Sequence, residues 1–460
     1  MIGTPSNLDL LENAKLLLRD SRRATGGDII LAVRARDVAT ATSALAQAEI
    51  MLERPAVGHT GNTALNPRTL RSAQDNLPAA NLALISVPGD FAAAEARKAL
   101  FAGLNVMLFS DNVSIYEEVS LKREAVKAGL LVMGPDCGTA IIGGVPLAFA
   151  NQIPKGAIGI IGASGTGIQE VSSLIAQIGF GVSHALGVGG RDLTDQVGGI
   201  STLTALAMLE ADPATRHVVL ISKPPSPSIV NLVVDALGRS KKPCTICFLG
   251  ADAPSLPENV RFARTLKATA ELATGRSSKK IRPDFRSIIP HISPERRRIH
   301  GFFCGGTLSS EAQVVFLNQG VSVASNVPIP GAEVVSSESC HVLIDLGSDE
   351  YTRGRPHPMI DPTVRDQALT KALADPTLAV ILLDVVIGFG AHPDPASTIV
   401  RVLEGAGTER PIVIASVTGT DNDPQDRRAQ IAKLVNGGIV VAPTNADAAK
   451  LALSSLLQHD

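Results

Sequence analysis

The sequence predicts an α/β protein of 460 residues whose domains are built on parallel sheets. Three observations carry that expectation. Forty-one Gly, no Trp and 45% hydrophobic residues with only 3% aromatic give the texture of many short buried strands alternating with small-residue helices. Short apolar runs alternate with stretches of helical spacing, a β-α-β order that implies parallel pairing. A turn grammar, Gly-Thr-x-x-x-Glu, also occurs twice, at Gly165, Thr166 and Glu170 and again at Gly306, Thr307 and Glu311, which marks an internal repeat.

At roughly 150 residues per domain, the length suits about three domains. The first, 1–155, offers strand candidates Ile29 to Val33, Leu82 to Val87, Val106 to Phe109 and Leu131 to Met133. Ser114 and Glu117 form a capping box before a helix that ends near Gly129. The run from Ile29 to Val33 is not followed by the G-x-G-x-x-G of a dinucleotide site. The second domain, 156–275, has strand candidates Ile158 to Ile161, Val182 to Leu186, Val218 to Ile221 and Thr245 to Leu249. After a Pro- and Arg-containing linker, 276–298, the third domain spans 299–460. Its strands fall around Phe302, Val321 to Ala324, Val342 to Leu346, Val380 to Val385, Ile412 to Ser416 and Ile439 to Val441. The two later domains place the Gly-Thr turn after their first strand, so a duplicated flavodoxin-like unit is the economical reading. In such sheets ligands gather at the carboxyl ends of the strands.

Net charge is −2, which gives no basic field for nucleic acid. The cationic stretch from Lys279 to Arg298 carries Pro283, Pro290 and Pro294 with only Phe285 to stack on a base, and reads as a solvated linker. No apolar run reaches the roughly 18 residues of a membrane span, and the amino terminus lacks a signal pattern, so a cytoplasmic location is expected. Five Cys argue against a disulfide framework. Cys244 and Cys247 lie three apart on a strand, hence on opposite faces, unsuited to chelation or redox pairing. His184, His217 and His341 lack ligand spacing, and no metal site is expected.

The chemistry concentrates in glycine-bearing turns. Gly159 to Glu170 reads strand, tight turn, helix N-terminus, with Ser164 and Thr166 adding hydroxyls to the first-turn amides of Gly165. Those amides lack intrahelical partners and sit at the positive end of the helix dipole, a setting for phosphate or carboxylate. The alternative is a cap whose glycines merely allow close packing. Gly306 and Thr307 repeat the arrangement, and neither turn has the Lys-Ser/Thr ending of a P-loop. From Asp345 to Asp366 a dense polar loop holds Arg353, Arg355 and His357 among three prolines. The arginines can grip an anion by forked hydrogen bonds and the histidine can exchange a proton near neutrality; a salt-bridged interface loop is the alternative. Gly388 and Gly390 follow a buried strand as a close backbone approach to a ligand would require, and Thr418, Thr420 and Asp421 take the same place one strand later.

Together, Gly134-Pro135-Asp136-Cys137-Gly138, the Gly159 to Glu170 turn, Gly189-Gly190-Arg191-Asp192, Ser222-Lys223-Pro224-Pro225, Gly354 to Pro362, Leu382 to Gly390 and Val417 to Asp421 resemble the FdrA proteins of the succinyl-CoA synthetase superfamily. The resemblance covers essentially the whole chain. It implies a Rossmann-like CoA-binding-type domain followed by two ligase-type flavodoxin-like domains, whose paired helices would present their N-termini to a phosphate. Two departures matter. Where a synthetase carries its phosphohistidine loop this chain reads Leu249-Gly250-Ala251-Asp252-Ala253, and the glutamate that orients the histidine falls near Lys223. The glycine-rich loop for CoA phosphates and an ATP-grasp domain are also missing, which argues against CoA as a cofactor and against a free-standing ligase.

What the resemblance then implies is a subunit of an oxamate carbamoyltransferase in allantoin and purine-nitrogen breakdown, working with partner subunits and as a homo-oligomer on a small anionic substrate. Phosphate or carbamoyl phosphate would be a substrate. Arg191, Lys223, Arg355 and His357 become the catalytic candidates; Ser164, Gly165, Thr166, Gly190, Gly306, Thr307, Arg353, Gly388, Gly390, Thr418 and Thr420 would line the substrate site. Alternatives are an acyl-CoA synthetase acting with a nucleotide-binding partner, and a non-catalytic scaffold.

Overall fold

A computed structural model describes residues 1–53, 67–277, 295–353, 355–407 and 409–456. The chain divides into two units, one of residues 1–80 with 349–357 and the other of residues 81–348 with 358–460.

The smaller unit is helical. Thr4 caps α1 (Pro5–Asn13) by accepting the Asn7 N–H, with Pro5 at the position where a missing N–H costs nothing. Helices α2 (Val38–Glu53) and α3 (Leu70–Asn76) follow, the latter capped by Thr69. The strand expected from Ile29 to Val33 reduces to one antiparallel bridge between Ile2 and Ile29. Ile29 is 62% exposed, so this apolar run has no core to join. A single helical turn, Asp349–Thr352, belongs to the same unit.

In the larger unit, β1 (Leu82–Ile85), β2 (Asn105–Leu108) and β3 (Val132–Met133) form a parallel sheet in that order, with α4 (Gly89–Phe101) and α5 (Ile115–Lys127) between them. Ser114 caps α5 through the Glu117 N–H at 3.2 Å, as its sequence predicts. Residues 139–148, placed by the sequence in the first domain, instead form a hairpin of β4 (Thr139–Ile142) and β5 (Val145–Ala148) that extends the second sheet. Gly143 and Gly144, at φ 59° and 91°, make its turn.

The second sheet continues through β6 (Lys155–Gly162), β7 (Val182–Gly187), β8 (His217–Ser222), β9 (Cys244–Phe248) and β10 (Val260–Phe262). Its helices are α6 (Gly165–Gln177), α7 (Ile200–Ala211), α8 (Pro227–Gly238) and α9 (Leu266–Thr274). The third sheet holds β11 (Arg298–Phe303), β12 (Ala324–Ser325), β13 (Glu333–Val334), β14 (Val342–Asp345), β15 (Leu378–Val386), β16 (Ile412–Thr418) and β17 (Val440–Ala442). Its helices are α10 (Gly306–Asn318), α11 (Thr363–Leu373), α12 (Pro395–Glu404), α13 (Arg427–Asn436) and α14 (Asn445–Leu456). The strand expected from Val321 shortens to β12 because the Val321 N–H turns back to the Phe316 carbonyl in the C-terminal turn of α10.

With the short strands β12 and β13 left out of the count, the orders β7-β6-β8-β9-β10 and β14-β11-β15-β16-β17 are the same permutation, second-first-third-fourth-fifth, which is the flavodoxin-like order. The repeat in the sequence is therefore a repeat in topology. One apolar core runs through both halves, taking Ile168, Val171 and Ile175 from α6 with Leu308 and Val315 from α10. Cys244 and Cys247 enter two different cores from opposite faces of β9. Burial pushes their thiols up to about 11 and about 12 respectively, as befits packing residues.

Candidate functional site

Strand β6 runs into Ala163 and an extended Ser164, whose Oγ accepts the Gly167 N–H at 3.0 Å and so caps α6. The first i→i−4 bond of the helix is Ile168 N–H to the Ser164 carbonyl, which leaves the Gly165 and Thr166 amides ahead of the ladder. At the Gly165 end lies a cleft of about 60 Å³ walled by Asp136 to Thr139, Gly162 to Gly165, Gly187, Gly189 and Gly190, a wall that Thr166 does not join. Glycine is required in that wall. A Cβ on Gly187 would stand 2.5 Å from the Thr139 carbonyl oxygen, and one on Gly189, at φ +89°, 2.5 Å from that of Pro135. The volume suits one small anion and falls well below the roughly 300 Å³ of sites for larger ligands. Its one thiol, Cys137, is buried, is pushed up to about 12 by burial, and donates to the Thr139 carbonyl at 3.6 Å; it is no thiolate nucleophile.

The second turn differs at the same place. The Cys304 and Gly305 N–H groups ahead of α10 donate to the two oxygens of Asp384, each at 2.7 Å. This turn thus carries its own anion. Burial raises Asp384 to about 6, against the pull of those amides and of the charge on Arg365. Arg365 is itself 2% exposed and donates to Thr398 Oγ1 at 2.8 Å. Asp345 ends β14 beside the turn; burial raises its carboxyl, and the Lys223 ammonium in the loop after β8 opposes that rise. The two turns touch through a hydrogen bond between Ser164 Oγ and Thr307 Oγ1.

Several expected site residues are otherwise engaged. Gly388 and Gly390 have φ +132° and +78°, but what approaches them is the chain's own segment: a Cβ on Gly388 would stand 2.6 Å from the Ala150 carbonyl and one on Gly390 2.8 Å from the Phe149 ring. Thr418 donates to Glu170, and Thr420 donates to the Gln152 carbonyl at 3.0 Å. These residues join the two flavodoxin-like halves. Arg191 pairs with Glu118 at 2.9 Å and donates to the Val113 carbonyl at 2.8 Å, while its neighbour Gly190 does line the cleft. Arg353 and Arg355 are exposed and lie with His357 in the smaller unit; burial pushes His357 down to about 4, so its imidazole is neutral at pH 7.

Residues not singled out as site members complete the cleft. Asp136 and Gly138 were visible only as part of a family string that ends just before Thr139. Lys122, wholly buried, donates to Glu118, Asp192 and the Val188 carbonyl at 2.8, 2.7 and 3.1 Å, fixing the strand end that leads into Gly189 and Gly190. Nothing in the helical spacing of α5 distinguishes it from a surface lysine. Among the described residues there is no cluster of His, Cys, Asp and Glu arranged to hold a metal, and no helix long and apolar enough to cross a membrane.

Comparison with known proteins places three family models on the chain. Residues 1–67 match the AllF heavy metal-associated domain, 154–248 the CoA binding domain and 302–454 the CoA-ligase family. The CoA-binding match thus falls on the first flavodoxin-like half, whereas the sequence reading put a CoA-binding-type domain at 1–155. The uncharacterized protein YahF of Escherichia coli is 39% identical over 98% of this chain and 91% of its own length. The ADP-forming sulfoacetate-CoA ligase subunit SauD of Bilophila wadsworthia is 32% identical over 31% of this chain and 50% of that protein. The succinate-CoA ligase subunit alpha 2 of Archaeoglobus fulgidus is 30% identical over the same shares, so the chain spans about half the length of these two. Given the YahF match along nearly its whole length and the two ligase-type halves, the chain belongs to the FdrA family of succinyl-CoA synthetase-like proteins.

Proposed function

We propose that the chain is the phosphate-handling subunit of a carbamoyltransferase that converts oxalurate and phosphate to oxamate and carbamoyl phosphate. The observation that carries this reading is the glycine-walled cleft of about 60 Å³ at the Ser164 and Gly165 turn, sized for a single phosphate and provided with helix N-terminal amides. The match of residues 1–67 to the AllF domain is consistent with it. Phosphate rests at the Gly165 end of α6, and one of its oxygens attacks the terminal carbamoyl carbon of oxalurate. The bond from that carbon to the oxamate nitrogen breaks, and the nitrogen takes the proton that hydrogenphosphate gives up. Phosphate is itself the nucleophile, so no covalent enzyme intermediate is needed. Lys223 contributes positive charge beside the turns.

The test combines the chain with its partner subunits, oxalurate and phosphate, and follows carbamoyl phosphate by ³¹P NMR. Carbamoyl phosphate formed only when the chain is present is the expected result; no turnover with every partner supplied refutes the reading. The CoA-binding and CoA-ligase matches favour a second reading, an acyl-CoA ligase completed by a nucleotide-binding partner. Saturable CoA binding in calorimetry, with acyl transfer to CoA, would decide for it.

A further inference from the structure

The glutamate of each Gly-Thr-x-x-x-Glu turn has no part in the phosphate cleft, yet both are buried, Glu170 at 3% and Glu311 at 0% exposure. Apart from Asn445 at Glu311, their partners lie across the repeat. Glu311, on α10, accepts the Leu266 and Lys267 N–H groups at 2.7 and 3.3 Å, capping α9 of the other half, and takes Asn445 Nδ2 at 2.7 Å. Glu170, on α6, accepts from Thr418 Oγ1 at the end of β16 and from the backbone N–H of Asn445, the first residue of α14. Each half therefore uses the glutamate of its first helix to cap the last helix of the other. Each glutamate sits four residues, about 6 Å of axial rise, behind the threonine of its own turn, and the two turns touch at Ser164 and Thr307.

Two carboxylates enclosed so near an anion site work against the anion. We propose that Glu170 and Glu311 are positioning residues that hold the two turns mouth to mouth, and that a proton taken up by this pair strengthens anion binding at the Ser164 cleft. Burial and the facing Glu170 charge hold Glu311 at about 7, so the proton is exchanged close to neutrality. The groups facing the pair are Lys267 of α9, which is committed to Asp447 of α14 at 2.8 Å, Arg427 at the start of α13, and the thiol of Cys247 on β9. Asp447 opposes ionisation of Glu170, and Arg427 favours it. This inference rests on the cleft reading given above and adds a proton linkage to it.

Sulfate tests it, because it keeps its two charges across the range where phosphate itself titrates. Sulfate affinity of the full chain is measured by calorimetry from pH 6 to 8.5. Affinity in the unaltered chain should fall several-fold over that range. Glu311→Gln should bind with little pH dependence, near the low-pH value of the unaltered chain. Glu170→Gln, which removes only the facing charge, should move the midpoint to lower pH and serves if the first variant does not fold. The same slope and midpoint in both variants, or in whichever one folds, or no slope in the unaltered chain, would overturn the linkage while leaving the cleft intact. Absence of sulfate binding at every pH would overturn the cleft reading together with the linkage.

Discussion

Lys122 is enclosed by α5, α7 and the loop after β7, and its ammonium is matched by Glu118 and Asp192, all three side chains at 1% exposure or less. Asp192 also accepts the Ser201 and Thr202 N–H groups at 3.1 and 2.9 Å, capping α7. Lys122→Met would leave the buried Asp192 without its cation and Glu118 with Arg191 alone, so a loss of about 3–5 kcal/mol is expected in urea unfolding. Asp384 is the second residue whose charge governs its surroundings. Its carboxyl stands at about 6 in the folded chain, above its unfolded value of about 4, so the folded state binds the proton more tightly. Its contribution is most favourable below about pH 4 and declines as pH rises to about 6, by an amount on the order of 2–3 kcal/mol. Unfolding of the unaltered chain and of Asp384→Asn at pH 4.5, 6 and 7.5 checks the sign: the stability difference between them should shift in favour of the variant as pH rises.

Helix α6 is the element on which the cleft depends. Ser164→Ala removes its cap and the hydrogen bond to Thr307, so a stability loss of about 1 kcal/mol and weaker phosphate binding are expected from thermal unfolding and calorimetry. The element itself was legible: an apolar run, a glycine turn and helical spacing locate β6 and α6 to within a few residues. The duplicated flavodoxin-like order was legible for the same reason, since parallel strands buried on both faces read as unbroken apolar runs. The β4–β5 hairpin escaped because β5 is largely exposed or half-buried, and β10 and β13 because they are short strands at sheet edges. What no local pattern could reveal is the filling of a turn from afar. Asp384 lies some 80 positions from Cys304, and its role as internal anion appears only once β15 is paired beside β11. The same holds for Gly388 and Gly390, whose close neighbour was foreseen but proved to be residues 149–151.

At the scale of the larger unit, the two flavodoxin-like halves are joined by contacts that do not depend on the covalent link between them. Asn151 Nδ2 donates to Asp423 and to the Ile387 carbonyl at 2.8 and 2.7 Å, and the Gln152 N–H donates to Asp423 at 2.6 Å. Gln177 reaches the Gly419 carbonyl at 3.0 Å, and the Phe389 N–H the Ala150 carbonyl at 2.9 Å. Beneath these polar contacts one apolar core continues from α6 into α10. A shared core with reciprocally capped helices resembles an obligate interface more than a contact between tethered domains. The chain expressed as two polypeptides, 1–277 and 295–460, should therefore assemble when the two are produced together. An affinity tag on the first should retain the second, and the pair should elute from gel filtration at the size of the unbroken chain. Asp423→Ala in the second piece removes the acceptor for three donors, Asn151, the Gln152 N–H and the Thr420 N–H, and should weaken the pair by about 1–3 kcal/mol. Separate elution of two folded pieces would show instead that the covalent connection, and not the interface, holds the halves together.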